Sequence, residues 1–329
     1  TYGDCPFRYF AGRQLRLRVT EKPEEGISPR EMGRLLHEIL FEFYSGRKSG
    51  GLRSLAGARE QEFRAAVDEI HAIARKKFGE TTVDDIFWEI ATAGVLGSPG
   101  RAGSLEAMLD AERNSDLPAE PAYFEVPFGR AGEDVKHRDP GMYSEEPVSA
   151  GDIRLEGKID RIDLAGDAFR VIDYKTGSVL PGKSDIEDGL SLQLPLYLHC
   201  AETILAGRLG RPMSAGAGTY YHLRDGFRAV SRFGSADRKG SLIPAGERTK
   251  LFESTDRLRE IVGAAISRAV EHAAGIADGR FPVRPSRPEH LCRSCEYRRV
   301  CRIRTRLAPE EGGRDPDTAE EVYTTGFSI

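Results

Sequence analysis

At 329 residues, 39% hydrophobic and 30% charged, the chain has room for one large domain or two ordinary ones, each able to bury a core. No apolar run approaches the roughly 18 residues of a membrane span, and 36 glycines and 18 prolines follow no collagen-like period. A net charge of -4 gives no general attraction to nucleic acid, so such binding needs a local basic patch, and five cysteines are too few and too odd in number for a disulfide-built secreted fold. The chain opens on Thr1 rather than Met, as a segment excised from a longer polypeptide would.

In chain order, Ser28-Pro29-Arg30-Glu31 reads as a capped helix start. Met32, Leu35, Leu36, Ile39, Leu40 and Phe43 then repeat at helical spacing, predicting a helix over 29–45. A second helix is expected over 57–78, ended by Gly79, with shorter ones near 83–94 and, capped by Ser104, 105–114. Tyr123–Phe128 reads as an edge strand, because it contains Pro127. Two β-like runs follow, Ile153–Leu164 and Phe169–Tyr174, joined around Ala165-Gly166-Asp167 as a hairpin. A polar loop over 177–189, a helix over 190–206, a strand near Thr219–Leu223, a long helix over 249–275 and a polar tail over 308–329 complete the chain. Helices first, strands in the middle and helices last make an α/β layered fold.

The densest chemistry lies in Gly157-Lys158-Ile159-Asp160-Arg161-Ile162-Asp163 and Val171-Ile172-Asp173-Tyr174-Lys175-Thr176-Gly177. Alternation along a strand puts Asp173 and Lys175 on one face, and hairpin pairing lets Asp160 reach that face from the neighbouring strand. Carboxylates are hard oxygen ligands for Mg²⁺ or Mn²⁺, and a neighbouring ammonium can orient water and offset charge developing on phosphorus. An isolated Asp-x-Lys reads as a surface ion pair. Here it ends an apolar run, where a half-buried charge requires a partner or a metal. Arg161 and Asp163 fall on the opposite face and are expected to form an exposed or structural ion pair.

Cys292-x2-Cys295-x5-Cys301 holds one chelating pair with a third sulfur in reach, and Cys5 can supply a fourth; spacing alone leaves zinc and iron–sulfur both open. Cys200, on a helix, reads as a small core residue. Arginines 293, 298, 299, 302, 304 and 306, with Arg8, Arg13, Arg16 and Arg18, would form a basic, phosphate-facing surface if folded together. Gly177–Ser184 matches the phosphate-loop pattern G-x4-G-K-S, but the acidic and broken Asp185, Glu187, Asp188, Gly189 that follow argue against the helix such a loop must enter.

These motifs in this order resemble the nuclease domain of RecB and AddB-type DNA-repair proteins of the PD-(D/E)XK nuclease superfamily. The likeness includes Gln193-Leu194-Pro195-Leu196-Tyr197, Cys5-Pro6-Phe7-Arg8-Tyr9-Phe10, Gly33-Arg34-Leu35-Leu36-His37 and the C-terminal cysteines; Ile159-Asp160 stands where the name has "PD". The resemblance implies a restriction-endonuclease-like core, a central mixed β-sheet flanked by helices, with both chain ends joined by a four-cysteine cluster. It implies one nuclease domain over 1–307: a helical part at about 29–115, the catalytic sheet at about 121–225, and the last helix with the cysteines at about 249–307.

The family roles carry over residue by residue. Asp160 and Asp173 are implied as Mg²⁺ or Mn²⁺ ligands, with His37 from the first helix and Tyr174 in the same metal group, and Lys175 as the catalytic lysine. Gln193 and Tyr197, one helical turn apart, match the family's Q-x-x-x-Y, and Glu125 corresponds to an acidic active-site residue. Cys5, Cys292, Cys295 and Cys301 are implied to hold a [4Fe–4S] cluster, with zinc the alternative. The implied protein is a metal-dependent DNA nuclease, an exonuclease of recombination and repair, cytoplasmic, acting on DNA with an AddA-like helicase subunit or a fused helicase segment and not on membranes. The competing reading is a catalytically inactive module that binds DNA ends or tethers a helicase.

Overall fold

The computed structural model describes residues 1–18, 27–51, 54–80, 86–129, 137–177, 180–223, 226–244 and 251–301. They divide into two compact units, Thr1–Glu21 with Glu271–Ile329, and Lys22–Val270. The expected tail over 308–329 and Arg302, Arg304 and Arg306 lie outside the described residues.

In the first unit, residues 1–18 meet residues 271–301. Cys5 precedes α1 (Pro6–Tyr9), where proline fits the first turn because its missing N–H is not needed there. The ring of Phe10 stacks on Phe281 at 4.9 Å, with Tyr2 and Tyr9 also against Phe281. Tyr2 donates to the Arg280 carbonyl (2.6 Å), Ser286 N–H to the Asp4 carbonyl (2.8 Å), and Arg8 pairs with Glu296 at 3.2 Å. Of the late cysteines, Cys292 caps the end of a one-turn helix, Pro288–Leu291, Cys301 closes another, Arg298–Cys301, and Cys295 lies between them.

The second unit is a sheet between two helical layers. α2 (Pro29–Ser49) starts as expected, Ser28 Oγ accepting from Glu31 N–H, and it buries Leu35, Leu36, Ile39, Leu40, Phe43 and Tyr44 at three- and four-residue steps. α3 (Glu60–Gly79) and α4 (Ile86–Leu96) follow, then a small hairpin of β1 (Gly97–Ser98) and β2 (Arg101–Ala102). α5 (Ser104–Arg113) starts one residue earlier than the serine cap would have it: Gly103 is the N-cap, and Ser104 is buried in the first turn.

Among the described residues the main sheet has five strands. β3 (Glu120–Phe128) is its edge, as the proline required. The run over Ile153–Leu164 is two strands, not one. β5 (Ile153–Leu155) pairs with β4 (Val148–Ala150) in a separate ribbon, and β6 (Gly157–Ala165) joins the main sheet. β7 (Ala168–Lys175) pairs with β6 as the expected antiparallel hairpin. The loop over 177–189 contains a one-turn helix, α6 (Lys183–Glu187), and α7 (Gln193–Leu209) starts and ends three residues later than expected. β8 (Ser214–His222) begins five residues earlier than predicted and lies parallel to β7, the chain having crossed over through α7. β9 (Arg228–Gly234), absent from the sequence reading, forms the other edge, giving the order β3-β6-β7-β8-β9. α8 (Thr255–Ala277) ends the series; its residues up to Val270 belong to this unit.

Each sheet face has its own core. Ile172, Tyr174, Tyr221 and Phe124 pack with α2, α3 and α5, while Ile162, Val171, Phe169 and Tyr220 pack with α7. Of the two expected forms, exposed or structural, Arg161 and Asp163 take the structural one, a buried ion network on the face packed against α2, α3 and α5. Arg161 Nε meets Asp163 Oδ1 at 2.6 Å, Arg161 Nη1 meets Glu112 at 2.6 Å, and Arg170 Nη2 meets Asp163 Oδ2 at 2.7 Å. Two cations and two anions thus neutralise one another where none could stay alone. No described helix is long and apolar enough to cross a membrane.

Candidate active site and cysteine cluster

The site arises where β6 and β7 part. Their ladder runs from Ala165↔Ala168 to Arg161↔Ile172 and stops, although β7 continues on β8 to Lys175↔His222. In the gap, Asp160 Oδ2 replaces a backbone acceptor and takes the Tyr174 N–H at 2.8 Å. Asp160 and Asp173 are both buried.

Two further groups reach Asp160. His37, on the exposed shoulder of the α2 stripe, brings Nδ1 to 3.0 Å from Glu125 Oε1 and 3.5 Å from Asp160 Oδ1. Glu125 is 2% exposed, and its φ of 50° lies in the left-handed region inside an edge strand. A non-glycine residue held there costs roughly 1–2 kcal/mol, and the distortion interrupts the regular β3 face beside Asp160. The donor atoms of His37, Glu125 and Asp160 lie within 4.8 Å of one another, the one such triplet among the described residues.

Asp173 is adjacent and differently engaged. Its Oδ2 has the Lys175 ammonium at 2.6 Å, a close ion pair without hydrogen-bond alignment, and its Oδ1 accepts from Gln193 Nε2 at 2.7 Å. Lys175 also donates to Gln193 Oε1 at 2.9 Å, and the same amide donates to the Tyr197 hydroxyl at 3.2 Å. The first turn of α7 therefore fixes the lysine. Tyr174 enters through its backbone N–H; its ring lies in the helical core, edge-on to His37 at 5.5 Å.

Burial pushes the Asp160 carboxyl up to about 7, with Asp173 and Glu125 adding to the rise and His37 opposing it. Burial likewise raises Asp173, against the pull of Lys175. For His37, burial acts downward but is outweighed by Asp160 and Glu125, which carry it up to about 9. Crowded carboxylates that resist full ionisation are sites where an added cation is stabilising.

Lys158 escaped the sequence reading. It lies two residues before Asp160, on the same strand face, and its ammonium is 2.5 Å from Glu125 Oε2. The period-two rule applied to Asp160 would have found it.

In the first unit, Cys5, Cys292, Cys295 and Cys301 line one concavity with Phe7, Val283, Pro285 and Leu291. Arg13, Arg16, Arg18, Arg293 and Arg299 are exposed, whereas Arg8 is taken by Glu296. Cys200 is fully buried on α7, and burial pushes its thiol up to about 12, as befits a core residue. The phosphate-loop match does enter a helix, but one of five residues. The Asp185 carboxylate takes the Gly182 N–H at its start, and Lys183 turns to the Leu251 carbonyl and the Phe252 ring. An anion at that N-terminus would face a carboxylate.

The sequence model of the PD-(D/E)XK nuclease superfamily matches residues 1–302. Among similar proteins is the B-type subunit of the ATP-dependent helicase/deoxyribonuclease of Moorella thermoacetica, 28% identical over 92% of this chain and 29% of its own length. Proteins of the same name from Desulforudis audaxviator (29% identical, 84% of this chain, 23% of that one) and Clostridium botulinum (26%, 68% and 19%) also match. The chain thus spans less than a third of the length of these relatives.

Proposed function

The chain belongs to the PD-(D/E)XK nuclease superfamily, and from that premise we propose that it is a divalent-metal-dependent deoxyribonuclease, an exonuclease of DNA recombination and repair. The observation that carries this reading is the meeting of His37, Glu125 and Asp160 beside the Asp173–Lys175 pair. Ligands of an octahedral Mg²⁺ or Mn²⁺ lie roughly 3–4 Å apart, and this donor set, within 4.8 Å, fits such an ion, with Asp173 the next carboxylate to hand. Bound there, the ion would polarise a phosphoryl oxygen and lower the pKa of attacking water. Lys175 presents its ammonium to the anionic phosphate and orients the nucleophile. Asp173 and Gln193 hold that ammonium, and Tyr197 holds Gln193.

The relatives' name joins a deoxyribonuclease to an ATP-dependent helicase; the same arrangement is proposed here, with DNA delivered by an AddA-like helicase subunit or a fused helicase segment, in the cytoplasm. Digestion of end-labelled DNA tests the reading and gives polarity with it. Cleavage is expected with both ions and stronger with Mn²⁺, because imidazole suits Mn²⁺ better than Mg²⁺. Activity with Mg²⁺ but none with Mn²⁺ would remove His37 from the ligand set. DNA binding without cleavage under either ion would favour the inactive end-binding or helicase-tethering module.

For the cysteines, the reading is a [4Fe–4S] cluster completing one functional domain over 1–307. Four thiols lining one concavity supply the donor number that such a cluster takes, with zinc the alternative. By analogy with a disulfide closing so long a loop, such a staple contributes roughly 5–6 kcal/mol. Anaerobically purified protein is expected to contain about four irons per chain, lost with stability in Cys292→Ala. One zinc and no iron would overturn the assignment.

A further inference from the structure

The nuclease reading leaves Lys158 without a role. Its side chain is 38% exposed and its ammonium has one partner among the described residues, Glu125 Oε2 at 2.5 Å, a contact that lacks hydrogen-bond alignment. Lys175 makes a similar contact with Asp173 but is held in addition by a hydrogen bond to Gln193 Oε1 at 2.9 Å. Lys158 shares its strand face with Asp160, and Glu125 is one of the three residues whose donor atoms suit a divalent ion. An ion coordinated by Glu125 and Asp160 would lie a few ångströms from this ammonium, and like charges at that range repel strongly where water is scarce. Lys158 lies near the start of β6, ahead of the point where the β6–β7 ladder begins at Arg161, and its long, partly exposed stem lets the ammonium swing toward solvent.

Resting on the nuclease reading, we propose that Lys158 serves two anions in turn: it competes with the divalent metal for Glu125, and once displaced it binds a DNA phosphate. Metal entry and DNA binding would then favour one another, because the phosphate compensates the cation that the metal expels.

Two measurements on the intact chain test this, neither of them needing turnover. In Lys158→Met, which keeps the stem and loses the charge, Mn²⁺ binding by calorimetry without DNA is expected to tighten at least tenfold. DNA binding in Ca²⁺ is expected to weaken, with the slope of log affinity against log salt shallower by about one. Lys158→Arg should stay within a few-fold of wild type in both. Weaker or unchanged Mn²⁺ binding in Lys158→Met would overturn the proposal, weaker binding indicating that the lysine merely steadies Glu125. An unchanged salt slope would overturn it too. Lys158→Gln carries the same test should the methionine variant not fold. Wild-type protein that binds neither Mn²⁺ nor DNA would instead sink the nuclease reading itself.

Discussion

Asp160→Asn and Lys175→Ala are each expected to slow DNA cleavage by at least about 10²–10³-fold, measured on end-labelled DNA at saturating Mn²⁺. The two losses differ in origin. Asparagine keeps the shape of Asp160 and an oxygen for the Tyr174 N–H, but it removes the charge that would hold a cation. Alanine at 175 frees the Asp173 carboxylate from its ammonium and leaves Gln193 with one partner fewer. Stability should separate them further. Burial, with Asp173 and Glu125 near, raises the Asp160 carboxyl. An acid whose pKa is higher folded than unfolded weakens the fold once pH exceeds its unfolded value of about 3.9. Without divalent metal at neutral pH, Asp160→Asn is therefore expected to melt higher than wild type, and Lys175→Ala lower. An inactive Asp160→Asn that also melts lower would mean that the carboxylate supports the fold rather than strains it.

Asp163→Asn is expected to destabilise the protein by about 3–5 kcal/mol, the cost of leaving buried charge uncompensated, read as a shift in the denaturant midpoint. Asp163 is fully buried and is the shared anion of Arg161 and Arg170, so an amide there leaves both guanidinium groups short of a partner. Burial acts to raise the Asp163 carboxyl, but the two arginines outweigh it and hold it below the usual carboxylate range. A depressed folded pKa contributes stability that is fully present above about pH 3.9 and is lost as pH falls through the folded value. Wild type should accordingly show an acid limb below about pH 4 that Asp163→Asn flattens. Replacing Asp163, Arg161, Arg170 and Glu112 together by apolar residues should cost less than the single change, since no charge is then stranded.

Local arithmetic carried much of this protein. The spacing of Leu35, Leu36, Ile39, Leu40 and Phe43 defined α2, the alternation of Asp173 and Lys175 set them on one face, and the four-residue step from Gln193 to Tyr197 joined them on α7. Such patterns depend on the period of a single element, which neighbours in sequence already dictate. Asp160 joined the group by a slightly longer inference, the hairpin through Gly166. β9 escaped because an edge strand need bury only part of its side chains, so its seven residues carry no strong apolar pattern.

Tertiary structure alone decided the rest. Where the β6–β7 ladder stops, how Glu125 is turned by a left-handed φ towards His37, and which carboxylate each lysine takes depend on strand pairs and helices far apart in the chain. The same holds for Arg161, Asp163 and Arg170. Alternation gave the face of Arg161 and Asp163, but only the helices laid over that face determined that it would be dry and that the charges, with Arg170, had to cancel. Burial and electrostatic partnership are properties of the packed whole, because each depends on what every neighbouring element excludes or supplies.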